Sequence, residues 1–123
     1  MTRVGSDIQS LAELRSKSGI RGNRAIFTEY EREYCDRKPD AWASLGGIFC
    51  AKEACIKALS GFADLPKITF IDIEITHEEN GRPTIRAGAR LRPWMTEAGV
   101  ELDVSISHSL DYAMATVIAT RSP

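Results

Sequence analysis

The chain has 123 residues, of which 43% are hydrophobic and 27% are charged. This length leaves room for one domain, residues 1–123, and the balance excludes an intrinsically disordered chain, which needs few apolar residues and a large net charge. The chain has 16 Lys and Arg and 17 Asp and Glu, which gives a net charge of −1. A general attraction to nucleic acid or to an anionic membrane is therefore not expected.

The cysteine and histidine counts restrict the kinds of site that the chain can hold. Three cysteines, without a C-x-x-C motif, argue against a disulfide framework or a structural zinc site and favour a reducing cytoplasm. His77 and His108 are the only histidines, which excludes imidazole-rich metal sites. No apolar run approaches the ~20 residues that span a bilayer, and the N-terminus lacks the apolar stretch of a secretory signal. We therefore expect a soluble cytoplasmic protein.

The first half of the chain predicts mainly helices. Thr28 and Glu31 have the spacing of a capping box, which starts a helix. Gly46 and Gly47 fall inside the longest predicted helix and indicate close backbone approach, because each Gly costs about 1 kcal/mol there relative to Ala. Gly61 is the predicted stop residue of that helix. The elements predicted in chain order are strand 3–8, helix 11–18, helix 29–36, helix 41–60, strand 68–76, strand 83–87, helix 88–98, strand 102–107 and strand 112–120.

The second half predicts strand pairs. Isoleucines alternate with polar residues in segment 68–76, which is typical of a half-buried strand. Asn80 and Gly81 then predict a tight hairpin turn with positive φ at both residues. Because helices and hairpins are segregated along the chain, the sequence predicts an α+β fold with a mainly antiparallel sheet, one long helix and shorter helices.

Three charged residues could form a site if the fold brings them together. Glu53 and Lys57 are four residues apart and share one face of the long helix, a spacing that on its own more often marks a surface ion pair. Alternatively, Glu53 binds a divalent cation while Lys57 neutralises a phosphate. Asp7 could supply a second carboxylate, because an acid among apolar strand residues is unfavourable unless it is paired. An edge or turn position would also explain Asp7.

Other catalytic patterns have little support. Ser107 and His108 are adjacent on a predicted strand and so point to opposite faces, which argues against a nucleophilic triad. The nucleophile elbow G-x-S-x-G, the phosphate-binding loop and the dinucleotide fingerprint are all absent. His108 on its own could be an ordinary surface residue at a strand end.

The order of the motifs is more specific than any one of them. The chain carries V-G-x-D-I, F-T-x-x-E, F-x-x-K-E-A-x-x-K-A, N-G-R-P and S-x-S-H-x-x-x-Y-A in succession. Over nearly its whole length this series resembles the holo-acyl-carrier-protein synthases, the short class of 4′-phosphopantetheinyl transferases. The K-E-A-x-x-K-A core is the most specific part.

The resemblance implies an activity and a metal. The family moves the phosphopantetheine arm of coenzyme A to a serine of an apo acyl carrier protein, releases adenosine 3′,5′-bisphosphate and requires Mg²⁺. Asp7 and Glu53 match its metal-binding carboxylates, and Lys57 matches a lysine on the pyrophosphate. The base that takes the serine proton could be Glu53, Asp7 or a water on the metal.

The resemblance also implies further contacts with coenzyme A. His108 and Ser109 match a segment near the 3′-phosphate and the adenosine, although the family usually has Thr after the His. Lys52 and Gly61 are also assigned to coenzyme A binding. Ile48 stands where the family often has Arg, so a phosphate contact is lost or comes from elsewhere; the candidate replacements are Arg24, Lys38 and Lys67.

Short members of the family form trimers with the active site between neighbouring subunits. Because carrier proteins are acidic, a basic docking face is expected, and a solvated loop would explain the same residues equally well. The basic cluster consists of Arg15, Lys17, Arg21 and Arg24. Two other classes of protein remain as alternatives, a non-catalytic module that binds a carrier protein or coenzyme A and a small nucleic-acid-binding domain. The neutral charge and the lack of a strand with paired aromatic residues argue against the second.

Overall fold

The computed structural model describes residues 1–123, which form five strands, four helices and one 3₁₀ turn. In chain order they are β1 (Thr2–Ser10), α1 (Leu11–Ser16), α2 (Glu29–Asp36), α3 (Ala41–Leu59), the 3₁₀ turn (Phe70–Asp72), β2 (Ile73–His77), β3 (Pro83–Ala87), α4 (Arg92–Ala98), β4 (Val100–His108) and β5 (Tyr112–Arg121). None of the helices combines the length and apolar character that a bilayer crossing requires.

The first and last strands of the chain meet in one antiparallel sheet. β5 is the central strand, with β1 and β4 on its two edges, while β2 and β3 form a separate antiparallel hairpin. Asp7 of β1 lies opposite Ala115 of β5. The predicted α+β class with antiparallel strands is confirmed, and Asp7 is carried on an edge strand.

Helix α3 packs on β1 and β5, and small side chains allow it to come close. Ala113, Ala115 and Ala119 of β5 are at most 1% exposed, and Ala54 and Ala58 of α3 are fully buried. Because these side chains are short, the helix backbone and the strand backbones lie near each other. Side chains of α3 can therefore contact residues of the sheet directly.

The helix starts follow the sequence. Thr28 and Glu31 form the predicted capping box, in which Thr28 Oγ1 accepts from the Glu31 N–H and Glu31 accepts from the Thr28 N–H. Asp40 caps α3 by accepting from the Ala43 N–H at 3.0 Å. Helix α1 ends at Ser16 rather than at residue 18, because the backbone is already extended at the next residue.

The predicted strand 68–76 begins later than expected. Phe70–Asp72 forms the 3₁₀ turn, and the strand starts at residue 73. The Asp72 carboxylate accepts from the Thr69 N–H at 2.7 Å and pairs with Arg90 at 3.2 Å. The Asp72 side chain, expected on the outer face of a strand, therefore caps the start of the 3₁₀ turn instead.

Two glycines behave differently from the prediction. In the hairpin loop only Gly81 has a positive φ, of 87°, so Asn80 and Gly81 do not form the two-residue turn. The Glu78 carbonyl accepts from the Gly81 N–H, which belongs to a longer loop of the type that places one glycine in the left-handed region. Gly61 directly follows Ser60, the C-cap of α3, as predicted for the stop residue, but it has no positive φ; its missing side chain leaves room for Arg3, whose Cδ would be 2.5 Å from a β-carbon there.

Candidate active site

A close contact between β1 and α3 brings Asp7 to the helix. Gly5 is buried, and a β-carbon at this position would lie only 1.9 Å from the Ala54 carbonyl oxygen and 2.7 Å from the Ala58 nitrogen. Only glycine permits this approach of two backbones. Since side chains alternate along a strand, Asp7 points to the same side as Gly5, toward α3.

Lys57 bridges from α3 to the backbone and side chain of β1. Its Nζ donates to the Ser6 carbonyl oxygen at 2.9 Å and pairs with Asp7 Oδ1 at 3.2 Å. The side chain of Lys57 is 53% exposed and that of Asp7 is 17% exposed. Lys57 thus pairs with the distant Asp7 rather than with Glu53, its neighbour one turn away, and its exposed side is free to contact an anion.

Glu53 lies close enough to Asp7 and Lys57 for their charges to act on it. The Glu53 side chain is half-buried, and burial raises its pKa above the ordinary value. The negative charge of Asp7 raises the pKa of Glu53 further, while Lys57 and Lys17 act in the opposite direction. The structure therefore brings together Asp7, Glu53 and Lys57, the three residues that the sequence analysis selected.

Two neighbours of the carboxylates were not predicted as part of the site. Cys50 Sγ donates to the Ala113 carbonyl oxygen at 3.4 Å, and burial, followed by the charge of Asp7, raises the pKa of this thiol to about 12. Cys50 precedes Glu53 by three residues, which places both on one face of α3, so the sequence alone could have predicted that they are neighbours. Lys17, which the sequence analysis assigned only to the basic cluster, lies 5.7 Å from the centre of the Phe49 ring.

The oxygen donors of Asp7 and Glu53 fit Mg²⁺. No third His, Cys, Asp or Glu joins the two carboxylates in a cluster that could enclose a metal by itself. Mg²⁺ needs no such cluster, because it binds through one or two carboxylates and completes its octahedron with water and substrate phosphates. Burial and the charge of Asp7 both raise the pKa of Glu53, and a cation between the two carboxylates would relieve their repulsion.

His108 ends β4 and contacts α3 at Gly47. A β-carbon on Gly47 would lie 2.7 Å from His108 Nε2, so a glycine is needed there. The predicted close approach at this glycine therefore exists, although the partner is a side chain and not a backbone. His108 separates two surface cavities, one lined by Tyr34, Gly47 and Pro83 among others, and one lined in part by Ser109.

Lys52 does not lie where a contact with coenzyme A requires it. Its side chain is 0% exposed, and its ammonium pairs with Glu31, which is equally buried. A ligand on the surface cannot reach a buried ammonium, so the expected contact with coenzyme A is not formed by this arrangement. Gly61 follows α3, and its carbonyl oxygen accepts from Arg3 Nε at 3.3 Å.

Comparison with known proteins assigns the family. Residues 3–117 match the model of the 4′-phosphopantetheinyl transferase superfamily. The chain therefore belongs to this superfamily, as the order of its motifs predicted.

Among curated relatives, the chain is similar to the holo-[acyl-carrier-protein] synthases of two bacteria. It is 38% identical to that of Moorella thermoacetica, over 99% of this chain and 96% of the relative. It is 36% identical to that of Caldanaerobacter subterraneus, over 94% of this chain and 92% of the relative.

Solved structures show the same fold. The complex of the Chronobacterium ammoniagenes synthase with coenzyme A has a TM-score of 0.83 and 28% identity, covering 100% of this chain and 99% of that one. The Bacillus anthracis synthase with bound coenzyme A (3′,5′-ADP) has a TM-score of 0.76 and 28% identity, covering 98% and 96%. The expected fold and the expected family are thus confirmed.

Proposed function

We propose that this chain, acting as a single domain of residues 1–123, is a Mg²⁺-dependent holo-acyl-carrier-protein synthase. It transfers the 4′-phosphopantetheine arm of coenzyme A to a serine hydroxyl of an apo acyl carrier protein and releases adenosine 3′,5′-bisphosphate. The observation that carries the proposal is the meeting of Asp7, Glu53 and Lys57 where β1 packs on α3. Its relatives that are named holo-acyl-carrier-protein synthases match it over almost their full length.

The mechanism depends on positioning and on neutralising charge, which are the main requirements of phosphoryl transfer. Asp7 and Glu53 would hold Mg²⁺, which supplies positive charge to the diphosphate when it is bound. The exposed ammonium of Lys57, steadied by the Ser6 carbonyl, binds the diphosphate and stabilises the charge that builds up on the leaving group. The proton of the serine hydroxyl would pass to Glu53, to Asp7 or to a water on the metal.

The adenosine end of coenzyme A is proposed to bind at His108 and Ser109. Ring nitrogens and a hydroxyl can both donate to a 3′-phosphate. Ile48 is buried and supplies no charge, but Lys38 Nζ lies 4.7 Å from the ring of Tyr34, which lines the cavity beside His108. We therefore propose that Lys38 supplies the positive charge that the family's Arg would provide at position 48.

The acidic carrier protein is proposed to dock on the basic cluster. Arg15 and Arg21 lie over the ring of Trp42, at 5.6 Å and 5.8 Å from its centre, so the cluster has a defined arrangement. Lys17 belongs to the same cluster and contacts Phe49 of α3. Opposite charges on two partners increase the rate and the specificity of their association.

A homotrimer with the active site between subunits is proposed as the assembly. The outer face of the three-stranded sheet carries exposed apolar side chains that nothing in the single chain covers. Val4 and Ile8 of β1 are 64% and 65% exposed, and their cross-strand partners Ile118 and Met114 are 45% and 44% exposed. An exposed apolar patch of this kind is typical of a contact surface between proteins.

The deciding experiment combines the protein with an apo acyl carrier protein, coenzyme A and Mg²⁺ and measures the mass of the carrier. We expect the carrier to gain one phosphopantetheine and the gain to stop when the metal is chelated. A carrier that gains nothing, across several carriers, would favour the non-catalytic binding module. Transfer that continues fully in EDTA would contradict the role of Mg²⁺.

A further inference from the structure

The proposed mechanism makes no use of the buried ion pair between Lys52 and Glu31. Lys52 Nζ donates to Glu31 Oε1, and both side chains are 0% exposed. Glu31 also accepts from the backbone N–H groups of Thr28 and Ile75, each at 2.8 Å. One carboxylate therefore connects the start of α2, the middle of α3 and strand β2.

Stability alone is a weak reason for such a pair. Burial lowers the pKa of Lys52 and raises the pKa of Glu31, which reflects the free energy needed to remove both charges from water. Apolar side chains of similar volume are often at least as stable as a buried ion pair. Hydrogen bonds with a fixed direction, in contrast, hold neighbouring elements in one arrangement.

Glu53 lies between two fixed points of α3. Lys52, just before it, is tied to α2 and β2, while the Ala54 carbonyl, just after it, touches Gly5 of β1. Consecutive residues of a helix are about 100° apart around its axis. The two contacts therefore hold α3 from different sides and determine both its rotation and its axial position at Glu53.

We propose that the Glu31–Lys52 pair is a positioning device for phosphopantetheine transfer, which holds Glu53 in place opposite Asp7. Neither member of the pair touches a substrate; both act through Glu53. The inference rests on the proposed function, because Asp7 and Glu53 are the carboxylates assigned there to the metal. A displacement of about 1 Å at a reacting centre can lower a rate by about 10²-fold.

The test replaces both charges together, since removing one would leave the other buried and unpaired. The double variant Glu31→Gln/Lys52→Met keeps the volume and removes the ion pair. We expect it to fold, with kcat lowered about 10- to 100-fold and the KM for coenzyme A changed less than about threefold. In a direct titration without substrate, we expect the Mn²⁺ concentration for half-saturation to rise about tenfold.

The matched control is Asp72→Asn, which removes a buried carboxylate from the 3₁₀ turn and its pair with Arg90. Its thermal stability should fall while kcat and Mn²⁺ affinity stay at the wild-type values. The variant Lys52→Arg keeps the charge but changes the length and shape of the side chain, so it should fold and also lose kcat and Mn²⁺ affinity.

Two results would overturn the inference. The first is a folded double variant with wild-type kcat and Mn²⁺ affinity; if that variant does not fold, wild-type values in Lys52→Arg have the same meaning. The second is a raised KM for coenzyme A with an unchanged kcat, which would make Lys52 a direct ligand. If the wild-type protein transfers nothing, the proposed function fails, and the Mn²⁺ titration still decides whether the pair positions the carboxylates.

Discussion

Lys57 illustrates how an ion pair can serve as the resting state of a site. In the structure its ammonium neutralises Asp7 and is also held by the Ser6 carbonyl. More than half of the side chain is exposed, so the attraction between Lys57 and Asp7 is weakened by water. In the proposed reaction, a diphosphate and its metal would therefore replace this ion pair with little loss of stability.

Glu53 is the residue whose replacement should affect transfer most selectively. We expect Glu53→Gln to lower transfer by about 10²-fold or more, because the amide can neither accept the serine proton nor offer a charged ligand to Mg²⁺. Circular dichroism should show a folded protein, since Glu53 is only half-buried. Glu97→Gln, at an exposed position on α4, is the control and should retain full activity. Full activity in Glu53→Gln would remove Glu53 from the site.

At this scale the sequence selected charged residues that the fold brings together, but not all of their partners. Motif order selected Asp7, Glu53 and Lys57, and helical spacing placed the last two on one face. Spacing cannot state which polar residue of a helix is buried. Lys52 was therefore assigned to the ligand, although a carboxylate 21 residues earlier in the chain holds it in the core.

Among the secondary-structure elements, the contact of β1 with α3 is the most sensitive to added volume. We expect Gly5→Ala to destabilise the protein by about 1–3 kcal/mol, because the new methyl group would clash with the Ala54 carbonyl. Activity should fall as well, since β1 carries Asp7. Gly22→Ala is the matched control, because a β-carbon at Gly22 meets nothing within 4 Å. Chemical denaturation measures both variants, and equal stability of the two would contradict the close contact.

The packing of α2 on β2 should make stability depend on pH. The ring of His77 stacks on Tyr34, with 3.7 Å between the ring centres, and burial lowers the pKa of His77, with the charge of Lys38 as the second cause. The unfolded chain therefore takes up the proton first. Stability should fall as the pH drops below about 6.5 and should stop falling below the lowered pKa of the folded state.

Denaturation between pH 7.5 and pH 5 tests this dependence on the His77→Gln variant. We expect the variant to lose less stability than the wild type over this range, because the side chain that takes up the proton is gone. His108→Gln retains His77 and should show the wild-type dependence. If His77→Gln and the wild type lose stability equally, protonation of His77 is not the cause.

Elements were predicted well where local interactions decide them. The capping box at Thr28 and the strands near the C-terminus depend on neighbouring residues, and both were found close to their predicted positions. The start of β2 was missed because Asp72 has two possible uses, as an outward strand residue or as a cap. The choice depends on Arg90, which is distant in the chain and joins Asp72 only in the folded state.

For the whole molecule, the prediction concerns the exposed apolar side chains on the outer face of the sheet. We expect Val4→Lys/Ile118→Lys to separate a trimer into monomers, because this cross-strand pair would bring two buried positive charges to each contact. Light scattering at working concentration measures the mass, and activity should fall with it if subunits share the site. Ile71→Lys, at a position 45% exposed in the 3₁₀ turn, is the control. A wild-type protein with the mass of one chain would contradict the assembly.

All three cysteines, Cys35, Cys50 and Cys55, are buried, and burial raises the pKa of each thiol to about 12. Because only the thiolate attacks a disulfide, thiols with so high a pKa react very slowly at pH 7. The arm that a synthase handles ends in a free sulfhydryl of its own. A synthase whose cysteines are unreactive can handle the phosphopantetheine arm repeatedly without forming a mixed disulfide with it, even under oxidising conditions.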